Sequence, residues 1–136
     1  MSQKEFTDYV TACLFSHFPQ FVQGYAKKHD DIMVIDYPSS QGKLLLRITT
    51  RGRELAVGFA ANAERFAWHL HMRQLGAITP EEEIQAATQL LRRIFTDSEL
   101  IVHSSALGYF LTEDPAGIYQ YQQPEEIISV FHWSEL

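Results

Sequence analysis

The stretch Lys43-Leu44-Leu45-Leu46-Arg47-Ile48-Thr49-Thr50-Arg51-Gly52-Arg53-Glu54-Leu55-Ala56-Val57-Gly58-Phe59 decides the fold class. Its second half alternates. Leu55, Val57 and Phe59 fall on one side of an extended chain and Glu54, Ala56 and Gly58 on the other, which is the period of a strand. Arg51-Gly52 between the halves has turn chemistry, and so has Pro38-Ser39-Ser40-Gln41-Gly42 before them. Working back, Ile32 to Tyr37 is rich in β-branched residues and predicts another strand. Ile32–Tyr37, Lys43–Thr50 and Arg53–Phe59 therefore make an antiparallel meander with tight connections, and one of its faces must be covered.

Helices on either side supply the cover. Upstream, Phe6, Val10, Cys13, Leu14, His17, Phe18 and Phe21 recur at spacings of three and four, one apolar face of a helix that begins near Glu5. Pro19 either kinks it or starts a second short helix carrying Phe21, Val22 and Tyr25 toward Lys28. The polar run Lys27 to Asp31 then reads as an exposed turn. Downstream, Thr79 is an N-cap, Pro80 suits the first helical position and Glu82 completes a capping box. Ile84, Ala87, Leu90, Leu91 and Ile94 give the buried stripe of a helix over about 80–95. Glu81 to Glu83 in its first turn and Arg92-Arg93 in its last both favour the helix dipole. Between meander and helix, Ala60 to Ile78 has no clean period and predicts an irregular connection with at most one short strand around Phe66 to Leu70. Beyond the helix, strands are predicted at Glu99–Ser104, Leu107–Thr112, Ile118–Gln122 and Glu126–Trp133, with a turn at Glu113 to Gly117. A helix is the alternative for the last segment. No repeat or linker interrupts the chain. The expectation is a single α+β domain over residues 1–136, with N-terminal helices, an antiparallel sheet meander, one capped helix packed on the sheet and further strands to the C-terminus.

Composition narrows the function classes. A chain of 136 residues, 46% hydrophobic, folds without a metal or disulfide staple. Seventeen acids against eleven bases give a net charge of −6, which argues against direct nucleic-acid binding, since that needs positive surface against phosphates. The balance suits a basic partner through electrostatic steering, and equally it keeps a small domain in solution. With one cysteine no intrachain disulfide is possible, and Cys13 on an apolar helix face reads as a small buried thiol. No apolar run marks a signal peptide or a membrane span, which predicts a cytoplasmic protein.

Few residues carry chemistry. His69 and His71 form an H-x-H pair that would share one strand face, a spacing zinc sites use, with Glu64 as the one nearby carboxylate. Two partly exposed loop histidines are the plainer reading. His103-Ser104-Ser105 are adjacent in sequence, which does not make a triad. No G-x-S-x-G, P-loop or G-x-G-x-x-G occurs. The sequence predicts no catalytic residue, no metal and no cofactor. Clustered acids at turns stand out instead: Asp30-Asp31, Glu113-Asp114 and Glu125-Glu126, beside the helix-start acids Glu81 to Glu83. Interface anchors are usually Trp, Tyr or Arg, which brings in Trp68, Tyr109, Tyr119, Tyr121 and Trp133. Tyr119 and Tyr121, two apart in a predicted strand, share one face, either core or contact surface.

Three motifs carry a resemblance. Pro38-Ser39-Ser40-Gln41-Gly42, then Leu44 to Thr50 with Ile48-Thr49-Thr50, then Glu54-Leu55-Ala56-Val57-Gly58-Phe59 resemble small bacterial immunity-type proteins associated with secreted and contact-dependent toxins. In those proteins a P-S-x-x-G turn precedes an I-x-T strand and an E-x-x-V-G-F strand. Ile84–Phe95, Leu100–Thr112 and Val130-Phe131-His132-Trp133-Ser134 follow in the family's order, so the likeness runs over roughly residues 32–134. Its specific part is the central hairpin. Members often continue after G-F with an Asp and H-x-H-F, where this chain has Ala60, Ala63 and Arg65 before Phe66, so any role of that motif does not carry over. The resemblance implies a non-enzymatic protein that neutralises a cognate toxin, such as a basic nuclease, by direct contact. Asp30, Asp31, Glu113, Asp114, Tyr119, Tyr121, Glu125 and Glu126 are its expected contact residues. A small acidic secretion chaperone, which would dimerise, and an enzyme with a site around Glu64, His69 and His71 are the alternatives. Oligomeric state is not readable.

Overall fold

Ser2 opens the first helix, α1 (Gln3–His17). Its hydroxyl accepts the Glu5 N–H at 3.1 Å, and the Glu5 carboxylate accepts the Ser2 N–H at 3.2 Å, so two orphan donors are satisfied reciprocally. Phe6, Val10 and Leu14 form its buried stripe, while Cys13 is half-buried. The computed structural model describes residues 1–136. In it, Pro19–Gly24 is a 3-10 turn and Tyr25–Lys27 is already a strand, β1. A helix carrying Tyr25 toward Lys28 does not form. Gly24 lies so close to the Asp36 carbonyl that a Cβ has no room, and Tyr25–Lys27 pairs with Met33–Ile35.

The meander is present and longer than the sequence suggested. It comprises β1, β2 (Met33–Pro38), β3 (Leu45–Thr49), β4 (Ala56–Ala60) and β5 (Phe66–His71), antiparallel in chain order. The fifth strand lies where a short strand is expected, around Phe66 to Leu70, within the segment that shows no clean period. The register slips between Phe59 and Ala60, which face Trp68 and Phe66, so Ala67 is the extra residue of a bulge. The bulge sends Phe66 to the same side as His69 and breaks the alternation.

Helix α2 (Pro80–Phe95) has the predicted ends. Thr79 accepts from the Glu82 N–H at 3.2 Å, and Glu82 reaches back to the Thr79 N–H at 3.3 Å. After it come three of the expected strands, β6 (Ile101–Ser104), β7 (Gly108–Leu111) and β8 (Ile128–Phe131), which form a sheet of their own in the order β7-β6-β8. The last segment is thus a strand, not a helix. Ile118–Gln122, predicted as a strand, is instead a 3-10 turn at Gly117–Tyr121.

Leu14 and Phe6 from α1, Ile84, Leu91 and Ile94 from α2, and Met33, Ile35, Leu46, Ile48, Val57 and Phe59 from the large sheet fill one hydrophobic core. Both helices cover the same sheet face. Ile101 of the small sheet joins that core, with Tyr109, Leu111 and Phe131 packed against it, and so do Trp133 and Leu136 beyond β8. No helix is long and apolar enough to cross a membrane.

Candidate functional site

The large sheet leaves one face without a helix, and that face carries Asp36, Arg47, Phe66, His69 and His71. Arg47 is nevertheless only 4% exposed. Its guanidinium is bidentate to Asp36 at 2.7 and 2.8 Å and donates to the Asn62 and Arg65 carbonyls at 2.8 and 3.3 Å. Beside it lies a hollow of about 420 Å³ over Val34 and Thr49, rimmed by His29, Arg51, Glu64 and Phe66. Arg47 lends this hollow little free charge, because Asp36 already holds it.

His69 and His71 do share a strand face, with ring centroids 4.9 Å apart. His69 lies 4.7 Å from the Phe66 ring, and its partial burial, then the neighbouring His71, lowers its pKa. Glu64 belongs to the hollow and not to the histidines. His71 faces Glu54 instead (3.7 Å), and no three His, Cys, Asp or Glu side chains converge in ligating geometry.

Glu54 leads to the least expected group. Arg73 lies 3.6 Å from Glu54 and 3.8 Å from Glu83, and Glu83, in the first turns of α2, is 1% exposed. One Glu83 oxygen accepts the Leu55 N–H at 3.1 Å; the other has no partner. Glu83 reads as one of the solvated helix-start acids, but its side chain turns toward Leu55, just before β4. Burial outweighs the anion-favouring Leu55 N–H and Arg73, and raises its pKa above the ordinary 4.5. The folded chain therefore keeps a proton that the unfolded chain releases. The contribution of Glu83 to stability falls as pH rises from about 4.5 through the raised value. Glu83→Gln is expected to match the wild type in stability near pH 4 and to exceed it by about 1–2 kcal/mol at pH 8, where the buried anion is removed. Urea unfolding at both pH values measures this, and a variant weaker at pH 8 would mean that the anion is a net asset.

The expected contact residues divide into two places. Asp30 and Asp31 sit in the β1–β2 turn at the outer edge of the large sheet, both with left-handed backbone. Asp31 pairs with Lys27 at 3.3 Å. Glu113, Asp114, Tyr119, Tyr121, Glu125 and Glu126 all lie on the connection from β7 to β8. That connection must run back along the small sheet, since β7 ends beside Ile101 and β8 starts beside Ser104.

Its conformation is tied down locally. Asp114 accepts the Gly117 N–H at 3.1 Å. The Glu126 carboxylate accepts the buried Ser104 hydroxyl and, at 3.0 Å, the Gln123 N–H, which lower its pKa in that order. The Ser104 oxygen in turn accepts the Ala106 and Leu107 N–H groups, both at 3.1 Å. Ser105 and Ile127 exchange two further bonds, at 2.8 and 2.9 Å. Glu126 is thus committed inside the protein, knotting the β6–β7 turn to the loop before β8. Glu113 and Glu125 are exposed with no such commitment.

Large apolar side chains are exposed on the turn and the connection that this knot joins. Leu107 is 68% exposed, Tyr119 52%, Tyr121 80% and Ile127 69%. The sequence pointed to the two tyrosines and missed Leu107 and Ile127, which read as strand residues. Trp133, another suspected anchor, is buried. Glu113 borders a groove of about 370 Å³ floored by Trp68, Leu70, Leu90 and Leu111.

Compared with protein-family models, with curated proteins and with solved structures, the chain matches none.

Proposed function

We propose that this protein binds a protein toxin and neutralises it by direct contact, in the manner of an immunity-type protein. The observation that carries the reading is the exposure of Leu107, Tyr119, Tyr121 and Ile127 on loops pinned by the Ser104–Glu126 knot. Small proteins rarely leave several large apolar groups exposed in one region unless a partner covers them. Tyrosines held on a fixed loop are efficient anchors, because little side-chain freedom is lost on binding. Neutralisation needs no catalytic group in the inhibitor. It needs a rigid surface shaped to the toxin's working site.

The test is co-expression with the product of the adjacent coding sequence, read as growth rescue and co-elution. Rescue with a stable complex is the expected result, and Tyr119→Ala with Tyr121→Ala is expected to weaken that complex at least about tenfold. If the neighbouring product is harmless and nothing co-elutes, the toxin reading is lost.

A further inference from the structure

The charge of this protein is not spread over it. After Arg93 the sequence contains no lysine or arginine and seven acids, from Asp97 to Glu135. Residues 1–93 hold all eleven bases against the remaining ten acids. The body of helices and large sheet is therefore close to neutral, at +1. The segment from Asp97 to Glu135, which contains the small sheet, carries −7, more than the whole net charge, and four of its acids, Glu113, Asp114, Glu125 and Glu126, lie on the β7–β8 connection. Of those seven acids only Glu99 meets a cation, Arg93, at 2.9 Å. Four of the nine exposed large apolar side chains, Leu107, Tyr119, Tyr121 and Ile127, lie within this same segment.

We infer that the small-sheet pole is the docking surface, and that it takes an arginine-bearing basic protein surface. This rests on the protein-binding reading above. Charge decides the occupant. A nucleic acid or an anionic membrane would be repelled. A second copy docked through this face would place two acidic poles opposite each other, because a two-fold interface is self-complementary. A basic protein is attracted over the approach and oriented by the pole. Arginine rather than lysine follows from the mixture of groups: Tyr119 and Tyr121 offer ring faces for a planar guanidinium, and Glu113, Asp114 and Glu125 offer carboxylates for its N–H fork. Asp30 and Asp31 fall outside the surface. They sit beyond β1, at least four strand spacings or about 19 Å from the far side of β5, among Lys27 and Lys28. Glu126 acts in it as a positioning residue through Ser104.

The experiment titrates the ¹⁵N-labelled full chain with deca-arginine, deca-lysine and deca-glutamate, at about 25 mM and about 300 mM salt, conditions that bracket strong and weak screening. Amide shifts are expected between residues 97 and 135, largest over 113–127, for both cationic peptides and not for deca-glutamate. Deca-arginine is expected to bind several-fold tighter than deca-lysine. The triple variant Glu113→Gln/Asp114→Asn/Glu125→Gln is expected to bind deca-arginine about tenfold more weakly. Tyr119→Ala/Tyr121→Ala is expected to remove the arginine preference and keep the salt dependence. These positions are exposed, and unchanged thermal unfolding identifies variants that still fold. Shifts spread equally over Asp30–Asp31 and Glu81–Glu83, or a triple variant that binds as before, would overturn the inference. So would a dimer in sedimentation that Ile127→Glu dissociates. The two readings fail separately. A pole that binds deca-arginine while co-expression gives no complex removes the toxin alone. A toxin complex indifferent to the triple variant removes the pole alone.

Discussion

Arg47→Ala is expected to cost about 3–5 kcal/mol of unfolding free energy, the range for stripping one partner from a buried ion pair. Asp36 and Arg47 are direct cross-strand partners of β2 and β3. They lie on the face without helices, yet the turn from Asn62 to Arg65 covers the guanidinium with two carbonyls. The Asp36 hydrogen bond and charge raise the Arg47 pKa still further, so the cation is fixed at any ordinary pH. Alanine leaves a carboxylate only one-third exposed and two carbonyls facing a void. Arg47→Lys is expected to recover little, because an ammonium cannot span both Asp36 oxygens and reach the turn. The double variant Asp36→Leu/Arg47→Met is expected to recover roughly half of that loss, since no charge then remains buried while the Asn62 carbonyl still lacks its donor. Urea denaturation of the three variants decides the matter. If alanine cost less than about 1 kcal/mol, the pair would be an ordinary surface salt bridge, and the Asn62–Arg65 turn would be held by something else.

What the sequence discloses depends on how local the signal is. Helix α2 is legible to the residue because Thr79, Pro80 and Glu82 act within one turn. Strands β2 to β4 are legible because Leu55, Val57 and Phe59 alternate against one flat core. Strand β5 is obscured by a single extra residue, Ala67, which moves Phe66 across the sheet. Tyr25 reads as helical because its spacing from Phe21 is helical, while the deciding contact, Gly24 against Asp36, is long-range. Glu83 reads as one of three solvated acids, and only the tertiary placement of Leu55 buries it. The expected contact residues show the same limit. Their turn positions were readable, but the division of labour between Glu126, bound to Ser104, and Glu125, free of partners, depends on pairing across the small sheet. The charge partition at Arg93 was open in the sequence throughout. It gains meaning once the residues after Arg93 are seen to form a separate sheet.

Trp133→Ala is expected to be as damaging as the loss of Arg47, again about 3–5 kcal/mol. Its indole is 7% exposed, stacked on Tyr37 at 6.3 Å and tilted against Phe95 at 5.6 Å. Phe95 also contacts Phe18 and Phe21, at 5.8 and 6.0 Å. One aromatic cluster therefore joins the ends of both helices, β2 and the segment after β8. The same segment is tied on either side of the ring. Ser134 bonds to Asp97 through its N–H and hydroxyl, which lowers the Asp97 pKa. The Leu136 carbonyl accepts from Gln41 and Lys43 at 3.1 and 3.2 Å. Trp133 is in this sense the joint between the acidic small sheet and the near-neutral body. Against a total stability of order 5–15 kcal/mol, its truncation leaves a marginal fold. Trp133→Phe, which keeps a ring against Tyr37 and Phe95, is expected to lose roughly half as much. Hydrogen exchange distinguishes two ways of failing. Ile101 and Leu136 share the core with Phe6 and Leu14, so protection is expected to fall together in α1 and in β6. A fall confined to residues 97–136 would mean that the small sheet opens by itself, and its charged loops would then be hinged on the body.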